Sequence, residues 1–352
     1  MGPGVIPLGR RGWAVAAALL GGALASAPAG QRETVQPPRF AENILVERVI
    51  VEARVVDRAG RPIATLAPAD FRVEVGGRPV PLESAEWVAE GSAGTAPAEQ
   101  EALPPSPPDR SPRLVVLFVQ ADHHPSRLSG LMRMWPKVSA LLATLSADDL
   151  VSVVSFDSHL KLHCDFTTDR AAVRAALRPT AIFREPVPLP PQREPSLAAH
   201  LAAAEALAAA SPERGLALTA RALEALPGTK TMVFLGWGLG RLSRSGVRLP
   251  EAYAEAIAAM SRGRVTVLAL DVTDADAHSL EVGLQRIAQD TGGFYARTHL
   301  FPDLAVGRVA GVMAGHYELV FARPDLPPGP HRVTVRLHRT AGTVLVRPTV
   351  LD

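Results

Sequence analysis

Six apolar residues in a row, Leu114 to Val119, run straight into the polar stretch Gln120 to Arg127. No other feature narrows the choice of fold as much. A Val- and Leu-rich run without polar alternation suits a strand covered on both faces, the pattern of parallel sheets wrapped by helices. Ligands of such sheets lie beyond the carboxyl ends of the strands. The sequence therefore predicts an α/β core with a candidate site in the loop Asp122-His123-His124-Pro125-Ser126.

The strand-then-helix rhythm continues downstream. Leu128, Leu131, Trp135, Val138, Leu142 and Leu145 recur at intervals of three and four residues and mark one apolar helix face. Pro136 falls inside that stretch, so the helix is expected to kink or to begin there. Strands are expected over 150–156 and 159–166, and Thr168-Asp169 caps a helix from Ala171 to Leu177. A Pro-rich loop, 178–195, leads to an Ala-rich helix beginning at Ser196. Then follow a capped helix (211–226), a strand with a Gly-rich exit (231–240), a helix (250–262), a strand (264–272) and a helix ended by glycines (279–293). A last helix is expected near Asp303 to Ala314. Apolar strands alternating with helices predict a parallel or mostly parallel sheet, covered on both sides.

Antiparallel signals flank this core, which spans 113–314. Residues 40–90 alternate apolar and polar positions and break at Arg58–Pro62 and Gly76-Gly77, as antiparallel strands with one wet face do. Pro68 to Phe71 reads as a tight turn, and Asp57 and Asp70 as turn residues rather than calcium ligands, because no further carboxylates cluster near them. Residues 91–112 lose all periodicity and become rich in Pro, Ala, Ser and Glu, the composition of a linker. Residues 315–352 return to alternation and can complete a β-sandwich with 40–90.

At 352 residues the chain has room for two or three domains. Its 37 basic and 35 acidic residues are dispersed without a dense Lys/Arg block, which disfavours a nucleic-acid partner. Arg10 and Arg11, the apolar run Trp13–Leu24 and the small residues Ala25, Ser26, Ala27 and Ala29 form a secretory signal pattern. Residues 1–30 are thus expected to be a leader, 31–39 an N-terminal segment, and the mature chain secreted or periplasmic. No later stretch reaches about 18 uninterrupted apolar residues, so no membrane span is expected there. The single cysteine, Cys164, has no internal disulfide partner and reads as a buried strand residue.

Two motif groups carry a family likeness. One is Asp57-x-x-Gly60-x-Pro62 followed by Asp70-Phe71; the other is the strand 264–272 with Asp290-Thr291-Gly292-Gly293, followed by a helix and Tyr317. In this order, over most of 45–340, the chain resembles the bacterial secreted proteins that carry a von Willebrand factor type A-related domain, first grouped in acidobacteria. The resemblance implies a Rossmann-like type A core with flanking antiparallel β modules. Typical type A domains hold Mg²⁺ or Mn²⁺ through Asp-x-Ser-x-Ser after the first strand, a Thr from a second loop and an Asp after the fourth strand, and a partner's carboxylate fills the open position. This chain departs from that pattern in every loop. The first offers Asp122-x-His124-x-Ser126, or else aligns Gln120 with the metal Asp; Ser196 stands in for the Thr; Gly236-Trp237-Gly238 replaces the last Asp. A degenerate metal site is expected, with Asp122, Ser126 and Ser196 its candidate ligands, no cofactor as the first expectation and Mg²⁺ or Mn²⁺ as the alternative.

Other residue groups invite other chemistry. His123, His124, His159 and His163 suggest zinc, but adjacent histidines point apart and the other two belong to another strand. Asp271, Asp274 and Asp276 follow a strand at the same sheet edge and read as a solvated acidic loop. No G-x-S-x-G elbow, H-E-x-x-H helix or phosphate-binding G-x-x-x-x-G-K is present, so an enzyme is not expected. The expected function is protein binding or surface assembly with an unidentified protein partner, through loops bearing His123, His124, Trp237, Asp271 and Asp274. A Mg²⁺/Mn²⁺-dependent adhesin that grips an acidic group is the second reading, and a hydrolase the third.

Overall fold

The computed structural model describes residues 47–90, 112–190, 192–347 and 349–350. The expected leader, the segment 31–39 and the linker up to residue 111 lie outside these described residues. From its amino end the chain forms β1 (Arg48–Val56), a 3-10 turn (Pro68–Asp70), β2 (Phe71–Val75), β3 (Arg78–Val80) and β4 (Ser84–Ala89). The core begins with β5 (Leu114–Gln120), α1 (Pro125–Thr144), β6 (Leu150–Phe156), β7 (Leu160–Thr167), α2 (Arg170–Ala181), α3 (Leu197–His200), α4 (Ala203–Leu207) and α5 (Pro212–Glu224). It continues with β8 (Lys230–Gly236), the hairpin of β9 (Arg241–Ser243) and β10 (Gly246–Arg248), α6 (Glu251–Arg262), β11 (Val265–Asp271), α7 (Glu281–Asp290), β12 (Tyr295–Arg297) and α8 (Pro302–Val312). Four strands close the chain: β13 (Gly315–Ala322), β14 (His331–Leu337), β15 (Thr343–Val346) and β16 (Thr349–Val350).

The apolar run does what its composition dictates. All of β5 is buried, and its side chains alternate between two cores. Leu114, Val116 and Phe118 pack with residues of α5, α6 and α7, whereas Val115, Leu117 and Val119 pack with residues of α1, α2 and α8. The six-stranded sheet runs β7-β6-β5-β8-β11-β12, parallel throughout except for the antiparallel edge strand β7. Strand order reverses between β5 and β8, which opens a crevice at their carboxyl ends.

Two four-stranded sheets, β15-β1-β13-β4 and β16-β14-β2-β3, pack face to face over a shared core. Tyr317 lies at its centre, fully buried and in edge-on contact with Phe71 and Trp87 at ring distances of 5.1 and 5.2 Å. Its hydroxyl donates to Ile63 O at 2.9 Å and accepts from Leu66 N at 2.8 Å, so the phenol has no unmet polar group. The residues Asp57 and Asp70 shape turns: Asp57 accepts from Arg61 N at 2.9 Å, and Asp70 from Ala67 N at 2.8 Å.

Two sequence expectations change in the structure. Helix α1 runs through Pro136 rather than beginning there; Pro136 and Met132, the residue four before it, are both exposed, so the carbonyl freed by the missing N–H belongs to the exposed side of the helix. The Ala-rich stretch after Ser196 is broken at Leu201–Ala202 into the short helices α3 and α4 rather than forming one.

A buried ion network joins the sandwich to the core. Arg113, just before β5, donates to Asp149 through Nε at 3.1 Å and to Glu90 at 3.2 Å, and also to the carbonyl of Met313. Glu90 in turn accepts from Arg54 of β1 at 3.4 Å and pairs with His316 of β13 at 2.6 Å. Burial by itself would raise the Glu90 carboxyl; the His316 hydrogen bond and the charges of Arg54, His316 and Arg113 override it and hold the group at about 2. A carboxyl depressed in the folded state contributes stability above its unfolded pKa, here near 4.5, and loses it as pH falls toward the folded value. A shift of that size corresponds to about 3 kcal/mol. Urea unfolding of Glu90→Gln should therefore show a deficit of about that size at pH 7, shrinking steadily between pH 4.5 and 2.

Candidate functional site

Gln120, the last residue of β5, closes the crevice with its side-chain amide. It is 1% exposed, its Oε1 accepts from Trp237 N at 3.0 Å and Gly238 N at 3.2 Å, and its Nε2 donates to Gly238 O at 2.8 Å. Gly238 has a φ of +150°, and a Cβ there would stand 2.4 Å from the Leu280 side chain, so glycine is required for the loop to double back onto Gln120. The exit of β8 thus places Trp237 beside the crevice, partly buried against the core that also holds α1.

Arg127, in the first turn of α1, lies over Trp237 with its Cζ 3.6 Å from the ring centroid. Its Nη1 donates to Asp122 Oδ2 at 2.5 Å, and the other Asp122 oxygen accepts from His124 N at 2.6 Å. Asp122 is thereby both the turn residue that starts α1 and the anchor of the guanidinium. His124 Nδ1 meets Ser126 Oγ at 2.9 Å, while His123 stacks on Phe183 at 3.6 Å. Phe183 occupies a left-handed conformation (φ +57°) after α2, so the Pro-rich loop reaches the site through a strained residue. Helix α1 rests directly on the loop after β11: a Cβ at Gly130 would stand 1.6 Å from Val272 O, and Asp274 N donates to Ser126 O at 3.0 Å.

The acidic loop is divided between separate bonding groups. Asp274 accepts from Arg133 at 2.6 Å and pairs with His299 at 2.5 Å, contacts that lower its pKa, while Asp276 stands 3.8 Å from the other His299 nitrogen. Asp271, at the end of β11, accepts from Thr273 N at 3.0 Å and Tyr295 OH at 2.8 Å and meets His278 Nε2 at 2.8 Å. Glu281 takes Arg297 on both oxygens, at 2.9 and 2.7 Å, a pairing that holds its pKa down, and accepts from Tyr295 at 3.1 Å.

Ser196 stands apart from Asp122 and Ser126. It caps α3, and its Oγ donates to Asp165 Oδ2 at 2.6 Å. Asp165 follows Cys164, which pairs with Val153, whereas Gln120 is level with Phe156. Ser196 is thus held about three residues down the sheet, roughly 10 Å by strand rise. The residues offered for a divalent cation do not fit one. Both Asp122 oxygens are engaged, one by a guanidinium; the Gln120 oxygen accepts two backbone N–H groups; Gly236 brings no side chain; and Ser196 is bonded elsewhere.

The histidines are held by other partners too: His159 approaches Glu185 at 3.4 Å, and His163 meets Ser155 at 2.8 Å while burial lowers its pKa to about 4. Among the described residues one group brings three His or carboxylate ligand atoms within 4.8 Å of one another, namely Asp271, His278 and Glu281. Tyr295 and Arg297 already supply donors to its carboxylates. Cys164 is half-buried, and burial raises its thiol to about 11, away from reactivity.

Arg127 and Phe183 are the site residues that motif reading passes over. The signal for Arg127 was its position one turn into the helix that follows Asp122; nothing in the sequence places Phe183 on His123.

The strand order, the single antiparallel edge strand and the helices on both faces define a Rossmann-like, doubly wound α/β fold. No family model matches the chain and no curated protein matches it. Among solved structures it is similar to a von Willebrand factor type A protein from Catenulispora acidiphila, at 11% identity over 86% of this chain and 72% of that one, TM-score 0.42. It is also similar to the conserved hypothetical protein BatB from Bacteroides thetaiotaomicron (15%, 57% and 98%, TM-score 0.38). A third is the vWF domain of the type V pili tip protein Mfa5 from Porphyromonas gingivalis (11%, 61% and 98%, TM-score 0.37).

Replacing Gln120 by Leu keeps the volume but strands two N–H groups and one carbonyl in the crevice. The expected loss is about 3 kcal/mol, measured by urea unfolding, with a larger chemical-shift change at Gly238 than at the opposite end of the sheet.

Proposed function

We propose that the chain is a protein-binding or assembly module that works outside the cytoplasm and receives an acidic group of its partner on Arg127, with no cation in the site. The observation that carries this reading is the guanidinium held over Trp237, its Cζ 3.6 Å from the ring centroid and one nitrogen bonded to Asp122, at the crevice where sheets of this topology take their ligands. Asp122 uses Nη1; among the described residues Nε and Nη2 have no bonded partner and remain for a bidentate carboxylate. A fixed guanidinium supplies the positive charge that a divalent ion would otherwise bring. Leu300, Phe301 and Leu304, 64, 66 and 55% exposed, follow β12 near this end of the sheet and add apolar surface for a protein partner. The leader pattern in residues 1–30 supports export.

A hydrolytic reading finds little support. His124 and Ser126 are bonded, but Asp122 accepts from the His124 backbone rather than from its ring, so among the described residues no acid orients the imidazole as a nucleophile's base needs.

Thermal unfolding with chelator and then with millimolar Mg²⁺, Mn²⁺ or Ca²⁺ tests the metal-free part. The expected result is a constant Tm. An ion at about 100 times its Kd would add about 2.7 kcal/mol, a rise of roughly 5 to 10 °C, and such a rise, abolished in Asp122→Ala, would restore the metal-dependent adhesin. Partner capture should resist chelator and fall at least tenfold in Arg127→Ala.

A further inference from the structure

Strand β12 forms one margin of the core sheet, and β15 is the outermost strand of its own sheet. Between them lies a cavity of about 370 Å³, whose walls include Phe294, Tyr295, Arg308, Val344 and Val346. Its volume falls in the range of ligand pockets, roughly 300 to 1,000 Å³.

The backbone phase of β12 makes this margin available. Ala269 N donates to Phe294 O at 2.8 Å, and Thr298 N donates to Asp271 O at 3.0 Å. In a parallel ladder alternate residues bond to the same neighbour. Phe294, Ala296 and Thr298 therefore turn toward β11, and the N–H and C=O groups of Tyr295 and Arg297 face away from the sheet. Such a row of unpaired groups is a template for another strand.

Arg308 adds a chemical preference. Its guanidinium sits 5.7 Å from the Phe294 ring, and among the described residues it has no carboxylate partner. The helix that carries it is fixed in place. A Cβ at Gly60 would stand 2.8 Å from Arg308 Cα, and one at Gly311 would stand 1.8 Å from Gly60 O, so α8 is seated on the turn after β1 at van der Waals contact. A positive charge on a rigid support, in a mainly apolar groove, favours a carboxylate through charge-assisted hydrogen bonds.

The geometry points to a second binding site: an extended peptide adds a seventh strand to the core sheet along β12 and sets an acidic side chain against Arg308. Main-chain bonds to Tyr295 and Arg297 supply affinity, while the apolar walls take alternate side chains. The site is independent of Arg127 and of the partner proposed there.

The test is selection from a phage-displayed random hexapeptide library on the immobilised full chain, followed by fluorescence polarisation of the enriched peptides. Enriched sequences should carry Asp or Glu among β-branched residues and bind Arg308→Gln at least tenfold more weakly. Arg297→Pro removes one outward N–H without touching the ladder to β11 and should weaken binding similarly, whereas Arg297→Ala, which keeps that N–H, should not. No enrichment over bare matrix, enrichment of basic peptides, or equal affinity for Arg308→Gln would overturn the proposal. Circular dichroism melts check each variant, and if Arg297→Pro does not fold, Arg308→Gln decides alone.

Discussion

The Arg113 guanidinium is the interaction on which the rest of the structure depends. At 7% side-chain exposure it has lost almost all of its water, a cost recovered only by well-placed partners. Those partners come from three regions: Glu90 from the end of the sandwich's first half, Asp149 from the loop before β6, and the Met313 carbonyl from the start of its second half. One side chain therefore fixes where the core enters and leaves the sandwich. The same point sets the register of β5, since Leu150 N donates to Arg113 O at 3.0 Å and Leu114 N to Thr229 O at 3.0 Å.

At the opposite end of β5 the chain uses its own groups where a ligand would otherwise go. The Gln120 amide can both donate and accept, so it satisfies the Trp237–Gly238 backbone in a way a carboxylate, which only accepts, does not. Closing the crevice fixes the Trp237 backbone, and the partly buried indole gives Arg127 a face to stack on. Asp122 then serves the guanidinium. The Arg127 guanidinium is thus positioned by contacts within the chain, and the anion binding proposed for it is expected to weaken with rising salt concentration.

Much of the core was legible because burial on two faces leaves an unmistakable mark. Leu114–Val119 has no alternation to misread, the run over 265–271 interrupts its apolar residues only at Thr266 before ending in Asp271, and Asp169 and Ser211 announce the helices they cap. Pro136 was harder: its effect depends on whether the freed carbonyl meets water, which periodicity does not record. The site was less legible still. Asp122, Ser126 and Ser196 look alike as hydroxyl and carboxyl ligands in a string of letters, yet Ser196 answers to Asp165, a residue of the edge strand with no motif around it. Arg127 belongs to no metal pattern, and its role comes from Trp237, which is 110 positions away.

The sandwich is assembled from both sides of the core, and this has a consequence for how the chain is made. Strand β1 pairs with β13 and β15, and β2 with β14, so among its first four strands only the β2-β3 hairpin has a local partner. Emerging amino end first, from ribosome or export channel, the chain frees β1 through β4 well before residue 315. Until then these strands are unpaired edges, the kind of surface that joins with other chains. Charged residues spaced along β1, Arg48, Glu52 and Arg54, blunt that hazard during the wait. The α/β core, rich in nearer contacts, can fold first and bring Glu90, Arg113 and Met313 together, so that its completion shortens the loop the late strands must close. The amino-to-carboxyl order of emergence thus favours the core as the scaffold on which the sandwich is finished last.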